Sequence, residues 1–333
     1  MLTGPATLPS AVKLGASCWI SYNLYTSSGD EALRGVIAPA VADLLRRRSI
    51  RGFFFVRYFD ERGPHLRVRL DVAESRLEEA DAAFVAGVLS RLDAPTPGDR
   101  LLPSEIELEV ERYGGPAAHL AALDFFCLSS LHALEHVRRH HAARPVQRLK
   151  LATSLLLWQA LGFARTVEEL RALLDYFSGW RPALAAVVAK ADEAFDRHPE
   201  GWCELLHRAI RIADEAAESA AGDLGSAGAI FTASRGLSRQ TEEVPSAARA
   251  ELARSQMHMT ANRIGLSNAW EIYLSQILCR SAAAAEAADP AFLPGLERRL
   301  SHWRSQAHPA GAVALAELVA DGLARFAAGW PSR

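Results

Sequence analysis

The sequence predicts an α+β fold: a ferredoxin-like βαββαβ antiparallel sheet followed by a larger all-helical portion. Three observations predict it. Apolar residues alternate with a period of two in the first third of the chain. Two helical stretches interrupt that pattern in the order β-α-β-β-α-β. From residue 117 onward the spacing switches to that of a helix. The expected division is 15–116 for the α+β part and 117–333 for the helical part. With 333 residues, 50% hydrophobic and 23% charged, the chain can bury a large core and is not broadly disordered.

The elements follow in order. Cys18–Tyr25 is aromatic and β-branched and reads as a strand. Ser28-Gly29-Asp30 can cap a helix from Glu31 to about Arg47, with Leu33, Val36, Ile37, Val41, Leu44 and Leu45 on its apolar side. Phe53–Tyr58 is the second strand, Arg62-Gly63-Pro64 a turn, and His65–Val72 the third strand. Leu77–Leu92 is helical. Ile106–Val110 alternates with Glu105, Glu107 and Glu109 and reads as the fourth strand, stopped by Gly114-Gly115-Pro116. Helices are then predicted over Ala117–His140, Val146–Phe163, Val167–Phe177, Arg181–Phe195 and Gly201–Ala220. The Gly- and Ser-rich stretch Ala221–Ser246 reads as a long loop or lid. Ala247–Ala285 and Leu296–Phe326 are further helices.

Charge and composition exclude several classes. Lys and Arg number 37 against 39 Asp and Glu, a net charge of −2, so no general nucleic-acid or anionic-membrane surface is expected. Cys18, Cys127, Cys203 and Cys279 are scattered without a Cys-x-x-Cys pair, the usage of a reduced cytoplasmic protein. The opening residues lack the pattern of a signal peptide, and the apolar stretch Leu151–Ala164 is too short to span a bilayer. No Gly-x-Gly-x-x-Gly after a strand, Walker loop, His-Glu-x-x-His or Gly-x-Ser-x-Gly is present, so no cofactor and no metal are expected. Arg138-Arg139-His140-His141 reads as a solvated helix end.

Three polar clusters carry chemistry. On the third strand His65, Arg67 and Arg69 share one face, opposite Leu66, Val68 and Leu70. Arginine forks suit carboxylates, although the same row could simply pair with Glu105, Glu107 and Glu109. In Glu111-Arg112-Tyr113-Gly114-Gly115, alternation puts Arg112 on the apolar side, where it needs an anion or a strand end that frees its head. In Ser255–Glu271, His258 and Asn262 are neighbours at i, i+4, with Gly265 continuing the stripe. Met259, Leu266, Trp270 and Tyr273 border it, a setting for either a tuned imidazole or a merely solvated one.

Taken in this order, the clusters resemble the C-terminal glutamate-elimination domain of class I lanthipeptide dehydratases, with stand-alone relatives in thiopeptide pathways. The matching pieces are Trp19, Phe54-Phe55-Val56-Arg57-Tyr58, Gly63-Pro64-His65-Leu66-Arg67-Val68-Arg69, Glu109–Gly115 and His258-Met259-Thr260-Ala261-Asn262-Arg263. The resemblance implies that the whole chain is one enzyme domain. It implies a lyase that removes glutamate from glutamylated Ser or Thr of a ribosomal precursor peptide, leaving dehydroalanine or dehydrobutyrine. The implied catalytic residues are Arg67, Arg69, Arg112 and His258, meeting in one cleft. Arg57, His65, Tyr113, Asn262 and Arg263 are the implied substrate-binding residues. The implied partners are the precursor peptide, leader and core, and a separate tRNA-dependent glutamylating protein, since 333 residues leave no room for the glutamylation region. Two other functions remain open. Thiopeptide pyridine synthases resemble the same domain and perform a formal [4+2] cycloaddition with release of the leader peptide. A non-catalytic leader-peptide-binding subunit is the third reading. The full set of three arginines and one histidine favours elimination, because a cycloaddition substrate has no glutamate to hold.

Overall fold

The computed structural model describes residues 11–14, 17–92, 99–107, 109–139, 145–176, 178–218, 225–306 and 311–330. Five strands form one antiparallel sheet: β1 (Val12–Leu14), β2 (Ser17–Tyr25), β3 (Gly52–Asp60), β4 (Gly63–Val72) and β5 (Arg100–Pro103). The helices are α1 (Gly29–Ala32) and α2 (Ala38–Arg46), joined by a π-helical stretch Leu33–Ile37, then α3 (Leu77–Leu89), α4 (Gly115–Arg139), α5 (Pro145–Phe163), α6 (Val167–Leu174), α7 (Ala185–Arg197), α8 (Pro199–Glu218), α9 (Gly225–Gln240), α10 (Ser246–Ile264), α11 (Asn268–Ala288), α12 (Phe292–Ser305) and α13 (Gly311–Gly329). The chain packs as two compact units. One holds Met1–Glu109, Phe126–Ala142 and Val319–Arg333, and the other Val110–Phe125 and Ala143–Leu318.

In the sheet unit β5 and β3 flank a β2–β4 centre, giving the order β5-β2-β4-β3, the strand arrangement of a ferredoxin-like βαββαβ unit. Ile20, Tyr22 and Leu24 join Phe53, Phe55, Leu66, Val68 and Leu70 on the face that takes the helices, and all are buried. Tyr22 packs on Phe84 of α3 and donates its hydroxyl to the buried Asp81. Gly29 of α1 packs against Leu66 on that same face. The π-helical stretch lies just before Pro39, whose ring cannot follow a regular turn because it lacks an N–H and crowds the carbonyl four residues back.

The fourth strand is not Ile106–Val110. It is Arg100–Pro103, which pairs with Tyr22–Tyr25. Residues 104–107 and 109 have no regular structure, and Leu108 lies outside the described residues. The reason is competition for one strand edge. Continued in register, Ile106 would sit against Trp19, but β1 already pairs with Ser17–Trp19 there. Only Ser104 follows the ladder, through its N–H to Ser21 O at 2.9 Å and a hydroxyl contact with Ser21 of 2.7 Å. Alternation reports which side chains are apolar, and pairing needs a free edge as well.

The C-terminal half of α4 lies on the sheet. Phe126 packs on Phe54, and Ser130 accepts the Phe55 N–H that edge strand β3 would otherwise leave unpaired. On the same helix His132 has a solvent-inaccessible Nε2 without a hydrogen-bond partner. Burial, with Arg325 nearby, pushes this imidazole down to about 4. A folded-state value below the unfolded 6.5 means that stability is full above about 6.5 and falls as the pH drops toward 4. The loss attributable to His132 is expected to reach about 2–4 kcal/mol. Urea unfolding at pH 7 and pH 4.5 should show a smaller pH dependence for His132→Leu than for the wild-type chain.

Beyond residue 115 every described regular element is a helix. The stretch read as a lid contains α9, much of it buried, while residues 221–224 lie outside the described residues. Its small residues are packing devices. A Cβ at Gly162 of α5 would come within 2.6 Å of Phe231 O and Ser234 Cβ, so the two helices meet almost backbone to backbone. Ser234 donates to Ile230 O at 2.8 Å and Ser238 to Phe163 O at 3.0 Å, leaving neither hydroxyl idle. The stretches Ala247–Ala285 and Leu296–Phe326 each split into two helices. Gly265 does not continue the His258 stripe. It ends α10 with φ 89°, and the bonds Leu266 N–H to Ala261 O and Gly265 N–H to Asn262 O make a Schellman ending. Arg138 and Arg139 both pair with Glu135 at the end of α4, and His140 and His141 lie outside the described residues.

Candidate active site

The sheet unit carries the arginine row. His65, Arg67 and Arg69 lie on the face opposite Leu66, Val68 and Leu70, as the period of two requires. Their cross-strand neighbours are Tyr25 and Tyr58, Asn23 and Val56, and Ser21 and Phe54. None of these is acidic, and β4 has β2 and β3 as neighbours, so pairing with Glu105, Glu107 and Glu109 across strands is not what the sheet provides. The Arg67 guanidinium stacks over Tyr58 at 3.5 Å, and Arg69 lies 5.6 Å from the Phe54 ring. His65 is buried, its Nδ1–H directed to Gly63 O at 3.1 Å. That tautomer leaves Nε2 to accept from Arg67 Nε at 3.4 Å, and Tyr25 and Tyr58 flank the ring. His65 thus serves to hold Arg67. Arg57 is elsewhere: it pairs in register with Leu66 on the helix-bearing face and forms an ion pair with Asp30.

The helical unit carries the second cluster. Arg112 sits in a short 3₁₀ turn, Glu111–Tyr113, and not in a strand. Two left-handed residues follow, Gly114 at φ 82° and Gly115 at φ 87°, which only glycine adopts without strain. A Cβ on Gly114 would also come within 3.3 Å of Leu252 on α10. The glycine pair therefore lets the turn lie directly on α10, where Arg112 Nε donates to Ser255 Oγ at 3.0 Å. Tyr113 is buried against His119.

Ser255, His258 and Asn262 follow one another at i, i+3 and i+7 on α10, one stripe of the helix. His258 Nδ1 faces both carboxylate oxygens of Glu271, at 3.0 and 3.2 Å. Glu271, on α11, is completely buried, and Tyr176 donates its hydroxyl to Glu271 Oε2 at 3.1 Å. Burial raises the Glu271 carboxyl above its usual range, against the opposing pull of His258 and Tyr176. Burial and the neighbouring carboxylate hold the Tyr176 phenol well above its ordinary value, so it stays a donor. A neutral His258 that gives Nδ1–H to Glu271 carries its basic lone pair on Nε2, the arrangement of an oriented acid–base histidine. Two further bonds frame it: Gln159 to Thr260 at 2.6 Å between α5 and α10, and Ser275 to Leu174 O at 2.6 Å between α11 and α6. Arg263 is fully buried and Asn262 half-buried.

Among the described residues no three His, Cys, Asp or Glu side chains are grouped to hold a metal. Glu271 was within the sequence cluster but unmarked. The usable signal was Gly265, a helix stop that redirects the chain between residues 258 and 271. Tyr176 had no signal.

Residues 19–283 match the family described as lantibiotic biosynthesis dehydratase C-term. The chain belongs to that family. Members of the lantibiotic dehydratase C-terminal family thus share the segment that holds both arginine clusters and His258, although the match itself assigns no residue a role. No curated protein matches the chain. Among solved structures, a pyridine synthase, TbtD, from thiomuracin biosynthesis superposes with a TM-score of 0.63 at 16% identity, covering 81% of this chain and 99% of that one. The tRNA-dependent lantibiotic dehydratase MibB from Microbispora sp. 107891 gives 0.55 at 19% identity, covering 85% of this chain and 29% of MibB. TsrL gives 0.58 at 15% identity, covering 85% and 99%. At these identities the likeness is one of fold. Among the described residues one helical stretch, Ala118–Arg139 of α4, is long and apolar enough to cross a membrane, and 78% of the apolar window is buried inside the protein.

Proposed function

We propose that the protein is a lyase that eliminates glutamate from glutamylated Ser or Thr in a ribosomal precursor peptide. The observation that carries this reading is His258 held by the buried Glu271, on the same α10 stripe as the Ser255 that anchors Arg112. In the proposed reaction the His258 imidazole moves the Cα proton of the esterified residue. The Cα–H electron pair becomes the Cα–Cβ double bond, the Cβ–O bond breaks, and glutamate departs as its carboxylate. Arg67, Arg69 and Arg112 supply positive charge for the developing enolate and for the leaving carboxylate. The parts 15–116 and 117–333 act together as one enzyme domain, in the cytoplasm. A separate tRNA-dependent protein supplies the glutamyl ester. His65 and Tyr113 support the arginines beside them, Asn262 borders His258, and Arg57 and Arg263 act from within the fold.

The second reading is [4+2] pyridine formation with leader release. It is favoured by the near-complete coverage of TbtD, a pyridine synthase from thiomuracin biosynthesis. The three arginines weigh against it, because its substrate carries no glutamate to hold.

Incubation with a peptide bearing glutamyl-Ser, without added metal, nucleotide or tRNA, tests the reading. Release of glutamate and formation of dehydroalanine are expected. Cyclisation of a peptide already carrying two dehydroalanines, with no glutamate release from the glutamylated one, discards elimination in favour of cycloaddition. Arg69→Lys should slow elimination by roughly ten- to a hundredfold, because an ammonium keeps the charge but loses the paired donors of the fork. Single-turnover rates for the two proteins measure it.

A further inference from the structure

A second polar feature lies in the helical unit, among residues of α5, α9 and α12. A cleft of about 20 Å³, room for roughly one water, is bordered by Arg165, Arg235, Arg239 and Arg304, with Glu242 as the acidic residue of its lining. None of the four arginines forms an ion pair with a carboxylate among the described residues. Three of them donate to main-chain carbonyls: Arg165 to Ser238 O at 2.7 Å, Arg235 to Gln306 O at 3.0 Å, and Arg239 to Arg304 O at 2.8 Å. Carbonyls at the end of α12 carry together only about half a negative charge, and Glu242, which with Glu169 attracts Arg165, adds one more, so the lining keeps a positive surplus. Burial and Arg239 push the Arg235 guanidinium down to about 10, and burial with Arg249 nearby lowers Arg165. Like charges held this close are relieved by an anion.

Ser238 also borders a larger chamber of about 340 Å³, lined by Phe163, Leu173, Leu252 and Ala253, with the Arg249–Glu169 ion pair at 3.0 Å among its lining residues. Its α10 residues lie between Ser246 and Ala253, in the first turns of the helix, and neither Ser255, His258, Asn262 nor Glu271 lines it.

We propose that the arginine cleft and the adjoining chamber form a peptide-binding subsite that takes an acidic side chain flanked by an apolar one. The cleft has room for one carboxylate oxygen, with the rest of the carboxylate at its mouth beside Arg304, and the chamber has the volume and apolar lining for a large side chain. The subsite deepens the reading of the substrate as a peptide and rests on it. It would hold a stretch of that peptide remote from the reacting residue, where binding energy aids capture without touching the chemistry.

Fluorescence anisotropy with a fluorescein-labelled Gly-Glu-Leu-Glu-Leu-Gly peptide tests it. That probe has no Ser or Thr, so its binding is independent of whether glutamate elimination occurs. Replacing both Glu by Gln, or making Arg304→Glu at the exposed rim, should weaken binding at least tenfold. Ala172→Trp, which fills the chamber from the exposed side of α6, should weaken it at least fivefold while leaving the circular dichroism spectrum unchanged. Equal affinity for the Glu and Gln peptides, or indifference to Arg304→Glu, would overturn the proposal. So would binding of inorganic phosphate as tight as that of the peptide together with no effect of Ala172→Trp, which would mark a free oxyanion site.

Discussion

His258→Ala is expected to leave glutamylated peptide accumulating intact, with elimination slowed by about 10²–10⁴-fold. The ring is the one titratable group on the Ser255–Asn262 stripe, and Glu271 fixes how it points. Its removal deletes both a positioned proton carrier and the partner of a buried carboxylate. The second effect can disturb folding by itself, since an unpaired buried charge is costly. His258→Gln separates the two, because its amide can still donate to Glu271 but cannot carry a proton. Mass spectrometry of the peptide after a single turnover is the measurement. A His258→Gln protein that is folded and still eliminates at the wild-type rate would remove His258 from the chemistry.

Glu271→Gln is expected to slow elimination by roughly ten- to a hundredfold, the range for losing a hydrogen bond to a charged group. The size of the side chain and a bond to Tyr176 are kept, so the fold should persist. The diagnostic readout is the split between rate and binding. Loss of the bond that orients His258 lowers the single-turnover rate and leaves the affinity for the glutamylated peptide unchanged. A general loss of packing lowers both. Tyr176→Phe, which removes only the outer donor, should produce a smaller version of the same change.

His65, Arg67 and Arg69 were readable as a row because a strand's alternation is local and needs no knowledge of neighbours. The helical character beyond residue 115 was readable for the same reason, since a 3.6-residue stripe is a property of one segment. The fourth strand was misplaced because the pattern in Glu105–Val110 is local too, whereas strand pairing depends on β1 having taken the edge first. The supposed lid misled in the opposite way. Gly and Ser signal turns when exposed, but here they are what α9 needs to lie within touching distance of Gly162.

The sequence by itself determined the α+β class, the βαββαβ order and the shared face of the arginine row, all of which follow from residue type and short-range spacing. Only the tertiary structure decided what those side chains meet. Arg112 reaches Ser255 because Gly114 and Gly115 let the chain lie flat on α10. His258 reaches Glu271 and Tyr176 because Gly265 ends one helix and the next returns a buried carboxylate to it. Arg57 turns to Asp30, away from the row, because register puts it on the other face. Contacts between residues far apart in sequence are set by packing and by competition for edges and faces, and no local pattern encodes either.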